Sequence, residues 1–211
     1  MAAFDEWVQN IFERYLRQEP EIWIEPPATV KTEFMTQLFE KPSYLVESFS
    51  EQHIALGLQY LLFNANSNYV FVLVDGSVPI ANRVRLVNSF FTLFKELFSK
   101  ICSEYCGGAQ ESKKRPADYV CFMMWDAGTL QIYPERPEQR EVDRAFLSVL
   151  GRILDLPSIP CQKSALHGLN HAYDDYPDEV STAIDEYLKS GHCLSDDLQD
   201  YALRARIGGV L

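Results

Sequence analysis

Apolar residues recur three and four positions apart along most of the chain, which is the spacing of one face of an α-helix. Proline, glycine and serine punctuate these stretches where helices begin or end. The pattern therefore predicts an all-α protein. The predicted helices cover Phe4–Leu16, Ala28–Phe39, the residues after Ser50, Ile80–Ile101, Tyr119–Trp125, Glu141–Leu154, Gln162–Tyr173 and the residues from Pro177 onward.

The segment Tyr69–Val74 fits two structures. Its β-branched and aromatic residues, followed by Asp75 and Gly76, are typical of the first half of a β-hairpin. Pro79 suits the start of a helix and suits a paired strand badly, and no partner strand is evident downstream. We favour helix for 69–74, with strand as the open alternative.

Two predicted helices form a hairpin between Cys161 and Leu188. The first has an apolar side that includes Leu166 and Leu169 and a polar side of mixed charge. The polar side is expected to face outward and to meet a partner. Its residues are Lys163, His167, Asn170, His171 and Asp174.

Composition narrows the range of functions. The chain has 211 residues and 47% hydrophobic content, enough for one substantial core, so we expect a single all-helical domain over 1–211 with a flexible loop near 107–117. The formal net charge of −11 disfavours binding to nucleic acids or to anionic membranes. The absence of a basic and apolar leader, together with five scattered cysteines, favours a reducing cytoplasm.

Two pairs of metal-ligating residue types have a helical spacing of four. His167 and His171 could bind one metal ion, but the segment lacks the glutamate of the metalloprotease motif. Candidates for a third ligand are Asp174, Asp175 and His192. The other pair, Cys102 and Cys106, has no second close pair of cysteines to complete a zinc ribbon, so we interpret these as buried or idle thiols.

Asp126 ends the apolar run Tyr119–Trp125. A carboxylate that follows so apolar a segment is expected to be partly buried and therefore paired, and arginine is the partner we expect.

The segments DGSVPIANRVRLV, from Asp75 to Val87, and SALHGLNHAYDDYPDEVSTAIDEYL, from Ser164 to Leu188, resemble the turns and inner helices of HEAT-like α-solenoid repeats. Gln52–Leu56 also shares Gln, Ala and Leu with Gln162–Leu166. The apolar VCFMMWD helix ahead of the SALHGL hairpin resembles an uncharacterised bacterial family of unknown function. The resemblance implies an irregular α-α superhelix of HEAT-like hairpins in a compact stack.

The sequence therefore predicts a non-enzymatic scaffold or interaction module with an unknown protein partner and no metal or other cofactor. One alternative is a metal-dependent hydrolase that uses the pair His167 and His171. Another is a small-molecule binder whose interhelical pocket is lined by Phe91, Met124 and Trp125.

Overall fold

A computed structural model describes residues 2–16, 24–103, 115–126 and 136–210. Within these ranges the regular structure is helical throughout, as the hydrophobic pattern predicts. The α-helices are α1 (Ala2–Phe12), α2 (Ala28–Glu40), α3 (Ser43–Ser48), α4 (Glu51–Leu62), α5 (Ile80–Leu93), α6 (Pro116–Met123), α7 (Arg140–Leu154), α8 (Ile159–Ala172), α9 (Pro177–Ser190) and α10 (Asp196–Ala205). Shorter 3₁₀ segments cover Arg14–Leu16, Tyr69–Leu73, Met124–Asp126 and Pro137–Gln139.

Local sequence signals set several helix ends. Ser50 and Ser195 lie just before α4 and α10, and their hydroxyls accept hydrogen bonds from the backbone N–H groups of His53 and Leu198. Pro177 begins α9, where its missing N–H leaves no hydrogen bond unmade. Gly191 ends the same helix with a φ of 78°, a left-handed conformation that glycine adopts without steric cost.

Two predicted segments take less regular helical forms. Tyr69–Leu73 is a 3₁₀ helix, so the helical interpretation of 69–74 is confirmed and the strand alternative is wrong. The long predicted helix from Ile80 to Ile101 is continuous, but it changes from α5 to a π-helical segment at Phe94–Phe98 before a last α-turn. The predicted loop near 107–117 lies largely outside the described residues, although Pro116 already begins α6.

Helix α8 lies at the centre of the C-terminal half. It packs against α6, α7, α9 and α10, and it continues a core in which α5 packs against α2 and α7. Buried apolar side chains from α1 through α10 form one contiguous cluster. Because α8 has neighbours on several sides, residues on both its apolar and its polar faces are buried.

None of the helices in the described ranges has the length and apolar character needed to cross a membrane. The described cysteines, Cys102, Cys121, Cys161 and Cys193, are all free thiols.

Candidate metal centre

Three side chains from two separate helical segments converge on one point. Nε2 of His167 lies 3.0 Å from Oδ2 of Asp126, and Nε2 of His171 lies 3.2 Å from Oδ1 of the same carboxylate. The two Nε2 atoms are themselves 3.3 Å apart. One potential ligand atom from each residue can therefore be chosen so that all three lie within 4.8 Å of one another.

Helix α8 supplies both histidines from one of its faces. Residues four positions apart are stacked one turn above the other, which brings the two imidazoles together. Their rings meet edge to face, with centroids 4.7 Å apart and an interplanar angle of 79°. This mutual orientation directs both Nε2 atoms at the carboxylate of Asp126.

Asp126 reaches the histidines because α6 continues into the 3₁₀ turn Met124–Asp126. The neighbouring Trp125 anchors this turn to α8, since its indole Nε1–H donates a hydrogen bond of 2.7 Å to the hydroxyl of Ser164. That hydroxyl in turn donates to the backbone carbonyl of Cys121. The Trp125 ring also stacks on Phe94 of the π-helical segment, with centroids 6.0 Å apart.

Gly168 allows α8 to approach this turn closely. A Cβ atom at position 168 would lie 2.8 Å from Cδ2 of Leu150, which is closer than real Cβ contacts, and 3.0 Å from Cδ2 of Trp125, which is tighter than most of them. The glycine therefore permits α7, α8 and Trp125 to pack together, and its neighbour His167 comes within hydrogen-bonding distance of Asp126.

The His167 ring is held on several sides. It is only 6% exposed and stacks on Phe122, with centroids 4.4 Å apart and an interplanar angle of 16°. Its second nitrogen, Nδ1, lies 3.2 Å from the hydroxyl of Tyr201 on α10. The position and rotation of this imidazole are therefore determined by residues of α6 and α10.

Asp126 carries its negative charge at neutral pH. Partial burial acts to raise the pKa of its carboxyl group, but hydrogen bonds and charges from His167 and His171 outweigh burial and hold the pKa well below its usual range. The Asp126 side chain is 31% exposed and that of His171 is 22% exposed. The centre therefore has one buried ligand and two that reach solvent.

These distances suit a four-coordinate transition-metal ion. Metal bonds of about 2.0 to 2.1 Å at tetrahedral angles place neighbouring ligand atoms roughly 3.3 to 3.4 Å apart. The separation between the two Nε2 atoms is 3.3 Å, which matches this value. The nitrogen-to-oxygen distances of 3.0 and 3.2 Å run to the two different oxygens of Asp126, and with a single oxygen the three ligand atoms lie within 4.8 Å of one another. Three protein ligands would leave a fourth position for water or a substrate.

The five residues expected to form an outward polar face are not equally exposed. The expectation is wrong for His167 and Asn170, which are 6% and 3% exposed, because α10 and the residues after it cover this part of α8. Oδ1 of Asn170 accepts a hydrogen bond of 3.0 Å from the backbone N–H of Val210. Lys163 and His171 are partly exposed, and Asp174 is exposed in the turn that follows α8.

The third member of the cluster differs from the sequence-based candidates. Asp174 and Asp175 are exposed in the turn after α8, and Nδ1 of His192 lies 2.9 Å from Oδ1 of Asp155 instead. Asp126 was expected to pair with an arginine, but its partners are two histidines. The sequence marked Asp126 as an acid at the end of an apolar run. It could not show the contact with His167, because the two residues are 41 positions apart in the chain.

The residues of the other candidate sites occupy ordinary structural positions. Met124 and Trp125 belong to the packed core, and the Arg152 guanidinium lies 3.9 Å from the centre of the Phe91 ring. Burial raises the pKa of the Cys121 thiol well above its usual value, which opposes formation of a nucleophilic thiolate. The partner of Cys102 in the predicted pair, Cys106, lies outside the described residues.

Comparison of the chain with protein-family models, with curated proteins and with solved structures gives no match. The class that the structure itself defines is an all-α protein with a carboxylate and two histidines gathered at the junction of α6 and α8.

Proposed function

We propose that this protein binds a divalent transition-metal ion through Asp126, His167 and His171. The observation that carries the proposal is the convergence of two imidazole nitrogens, 3.3 Å apart, on one carboxylate, with one ligand atom from each of the three residues within 4.8 Å of the others. Imidazole and carboxylate ligands are both typical of zinc sites, and two histidines with one carboxylate also serve non-haem iron.

The close approach of the two histidine nitrogens supports a bound cation. At 3.3 Å, the two Nε2 atoms face each other as well as the carboxylate. Without an ion, at least one Nε2 must carry a proton, which it donates to Asp126 or to the other nitrogen. A cation among the three groups would accept the lone pairs of both nitrogens and would be attracted by the negative charge of Asp126.

The reaction class that fits such a centre is metal-assisted hydrolysis. A zinc ion with three protein ligands retains an open position, and it lowers the pKa of a bound water to about 7. The open position has a route to solvent here, because His171 and Asp126 are the more exposed ligands. We therefore propose hydrolysis as the activity and metal binding as its first requirement.

Metal content tests the proposal directly. Untagged protein, stripped with a chelator and dialysed against excess zinc, is expected to retain about one zinc ion per chain in elemental analysis. His171→Ala is expected to lose it. His192→Ala is the matched control, because His192 also contacts an aspartate, Asp155, but has no second histidine beside it. Wild-type protein that retains no zinc, or a His171→Ala variant that retains as much, would refute the proposal.

We propose, second, that the exposed residues on the polar side of α8 bind a protein partner. Lys163, His171 and Asp174 follow one another along α8 and the turn after it, and all three have solvent-accessible area. This surface would be the part of a HEAT-like helical stack that meets a protein partner. If a Lys163→Ala/Asp174→Ala double variant retains every protein that co-purifies with the wild type, this surface is not the binding surface.

A further inference from the structure

Tyr201 connects the C-terminal helix to the candidate metal centre. It lies on α10 and is 9% exposed, and its hydroxyl oxygen is 3.2 Å from Nδ1 of His167. The other nitrogen of the same ring, Nε2, faces Asp126 and His171. The His167 ring thus lies between Tyr201 and the two other proposed ligands.

We propose that Tyr201 is a positioning residue, which holds His167 in the tautomer that a metal ion requires. A neutral imidazole has one N–H and one nitrogen lone pair. Coordination through Nε2 places the proton on Nδ1, and a buried N–H needs an acceptor. The Tyr201 hydroxyl is at the right place to accept it. This inference rests on the proposed metal function.

The position of the hydroxyl is fixed by the way the C-terminal chain is fastened. The Arg206 guanidinium makes two hydrogen bonds, of 2.7 and 2.8 Å, to the carboxylate of Asp185 on α9. The backbone N–H of Val210 donates to Oδ1 of Asn170 on α8, the residue before His171. Gly208, with a φ of 69°, lets the chain turn between these two contacts. Both attachments follow Tyr201 in the chain, and they fasten the C-terminal segment to α9 and to α8.

A tyrosine hydroxyl can serve His167 with or without a metal ion, because it can both donate and accept. In the metal-free protein, Nε2–H can donate to Asp126 while the tyrosine O–H donates to Nδ1. When a metal ion occupies the centre, the imidazole proton resides on Nδ1 and the hydroxyl becomes the acceptor. A neutral His167 therefore changes tautomer without any net loss of a proton.

The test compares Tyr201 with Tyr187, because the hydroxyl of each tyrosine contacts a side chain of α8. Tyr201→Phe removes the hydroxyl and retains the ring. Tyr187→Phe is the control, because its hydroxyl donates a 2.8 Å hydrogen bond to Gln162 of α8, away from the proposed ligands. In competition with a chromophoric chelator, Tyr201→Phe is expected to bind zinc about 10- to 100-fold more weakly than wild type. Tyr187→Phe is expected to bind zinc as tightly as wild type.

A second measurement reports on the tautomer without any substitution. Nitrogen-15 NMR of zinc-loaded wild-type protein is expected to show His167 protonated at Nδ1 and metal-bound at Nε2. The inference is overturned if His167 is bound through Nδ1, or if Tyr201→Phe binds zinc as tightly as wild type. In either case His171→Ala still loses zinc, whereas failure of the metal proposal itself would appear as wild-type protein that binds none.

Discussion

The Nε2 atoms of His167 and His171 lie 3.3 Å apart and share the carboxylate of Asp126. Their spacing in the chain brings the two rings together, but the packing of α6 on α8 adds the acid. The centre is therefore a product of tertiary structure as much as of the helical pair. Its geometry depends on the residues that fix the 3₁₀ turn carrying Asp126. These residues are Trp125, Ser164 and Gly168.

Gly168→Ala should damage both stability and metal binding. Its Cβ would meet Leu150 and Trp125 at 2.8 and 3.0 Å, so one of these side chains must move. We expect a loss of about 1 to 3 kcal/mol in the free energy of unfolding, measured with urea, and weaker zinc binding because Asp126 follows Trp125.

Gly151→Ala provides the control for this substitution. Gly151 is also within a helix, α7, and its added Cβ would meet nothing within 4 Å. It should be neutral or stabilising by up to about 1 kcal/mol, since alanine favours helix. Equal effects at positions 151 and 168 would contradict the packing argument.

Ser164→Ala should lower the stability of the protein without changing any of the three proposed ligands. The substitution leaves the buried Nε1–H of Trp125 without its acceptor, which should cost about 1 to 3 kcal/mol of unfolding free energy. Ser99→Ala, which removes an exposed hydroxyl bonded to the Lys95 carbonyl, should change stability by less than about 0.5 kcal/mol. If Ser164→Ala were as stable as Ser99→Ala, the hydrogen bond to Trp125 would not anchor the turn.

Asp126→Asn should alter the acid dependence of stability in metal-free protein. The pKa of Asp126 is lowered in the folded state, despite the opposing effect of burial, by the hydrogen bonds and charges of His167 and His171. Its stabilising effect is therefore present above the unfolded pKa of about 3.9 and is lost as the pH falls through the lower folded pKa. Urea unfolding with chelator present should show the advantage of wild type over the variant shrinking from pH 5 to pH 3. A difference in stability that stays constant over this range would contradict a lowered pKa of Asp126 in the folded protein.

Tyr176→Phe should alter the dependence of stability on pH in the alkaline range. Burial, followed by the charge of Asp143 and the hydrogen bond to it, raises the pKa of Tyr176 to about 12. Because the folded pKa exceeds the unfolded value of about 10, stability is lost as the pH rises from about 10 to 12. The difference in phenolate absorbance between wild type and variant isolates this group. A titration midpoint near pH 10 would show that burial and Asp143 do not raise the pKa of Tyr176 in the folded protein.

Much of the helical framework could be predicted from the sequence, because its signals are local. The capping hydroxyl of Ser50 and the start of α9 at Pro177 follow from backbone chemistry within one turn. Helix α8 begins at Ile159, three residues before the predicted Gln162, since Pro160 is tolerated in a first turn. Local signals were weakest at Tyr69–Leu73, where apolar residues in succession fit helix and strand alike.

The candidate centre could be predicted only in part. The pair His167 and His171 follows from helical spacing, but the contact with Asp126 depends on how α6 packs against α8. The polar side of α8 looked free because its own sequence is amphipathic. Whether that side is covered depends on α10, whose Tyr201 lies 34 residues beyond His167. Periodicity within one helix carries no information about which distant helix will cover it.

Anomalous X-ray diffraction from crystals of zinc-loaded protein would test the claim that a metal ion binds among Asp126, His167 and His171. We predict an anomalous peak at the zinc edge, about 2.0 to 2.1 Å from Nε2 of both histidines and about 2.0 to 2.2 Å from an Asp126 oxygen. Crystals that show no such peak, with the three side chains in direct hydrogen bonds, would contradict the claim.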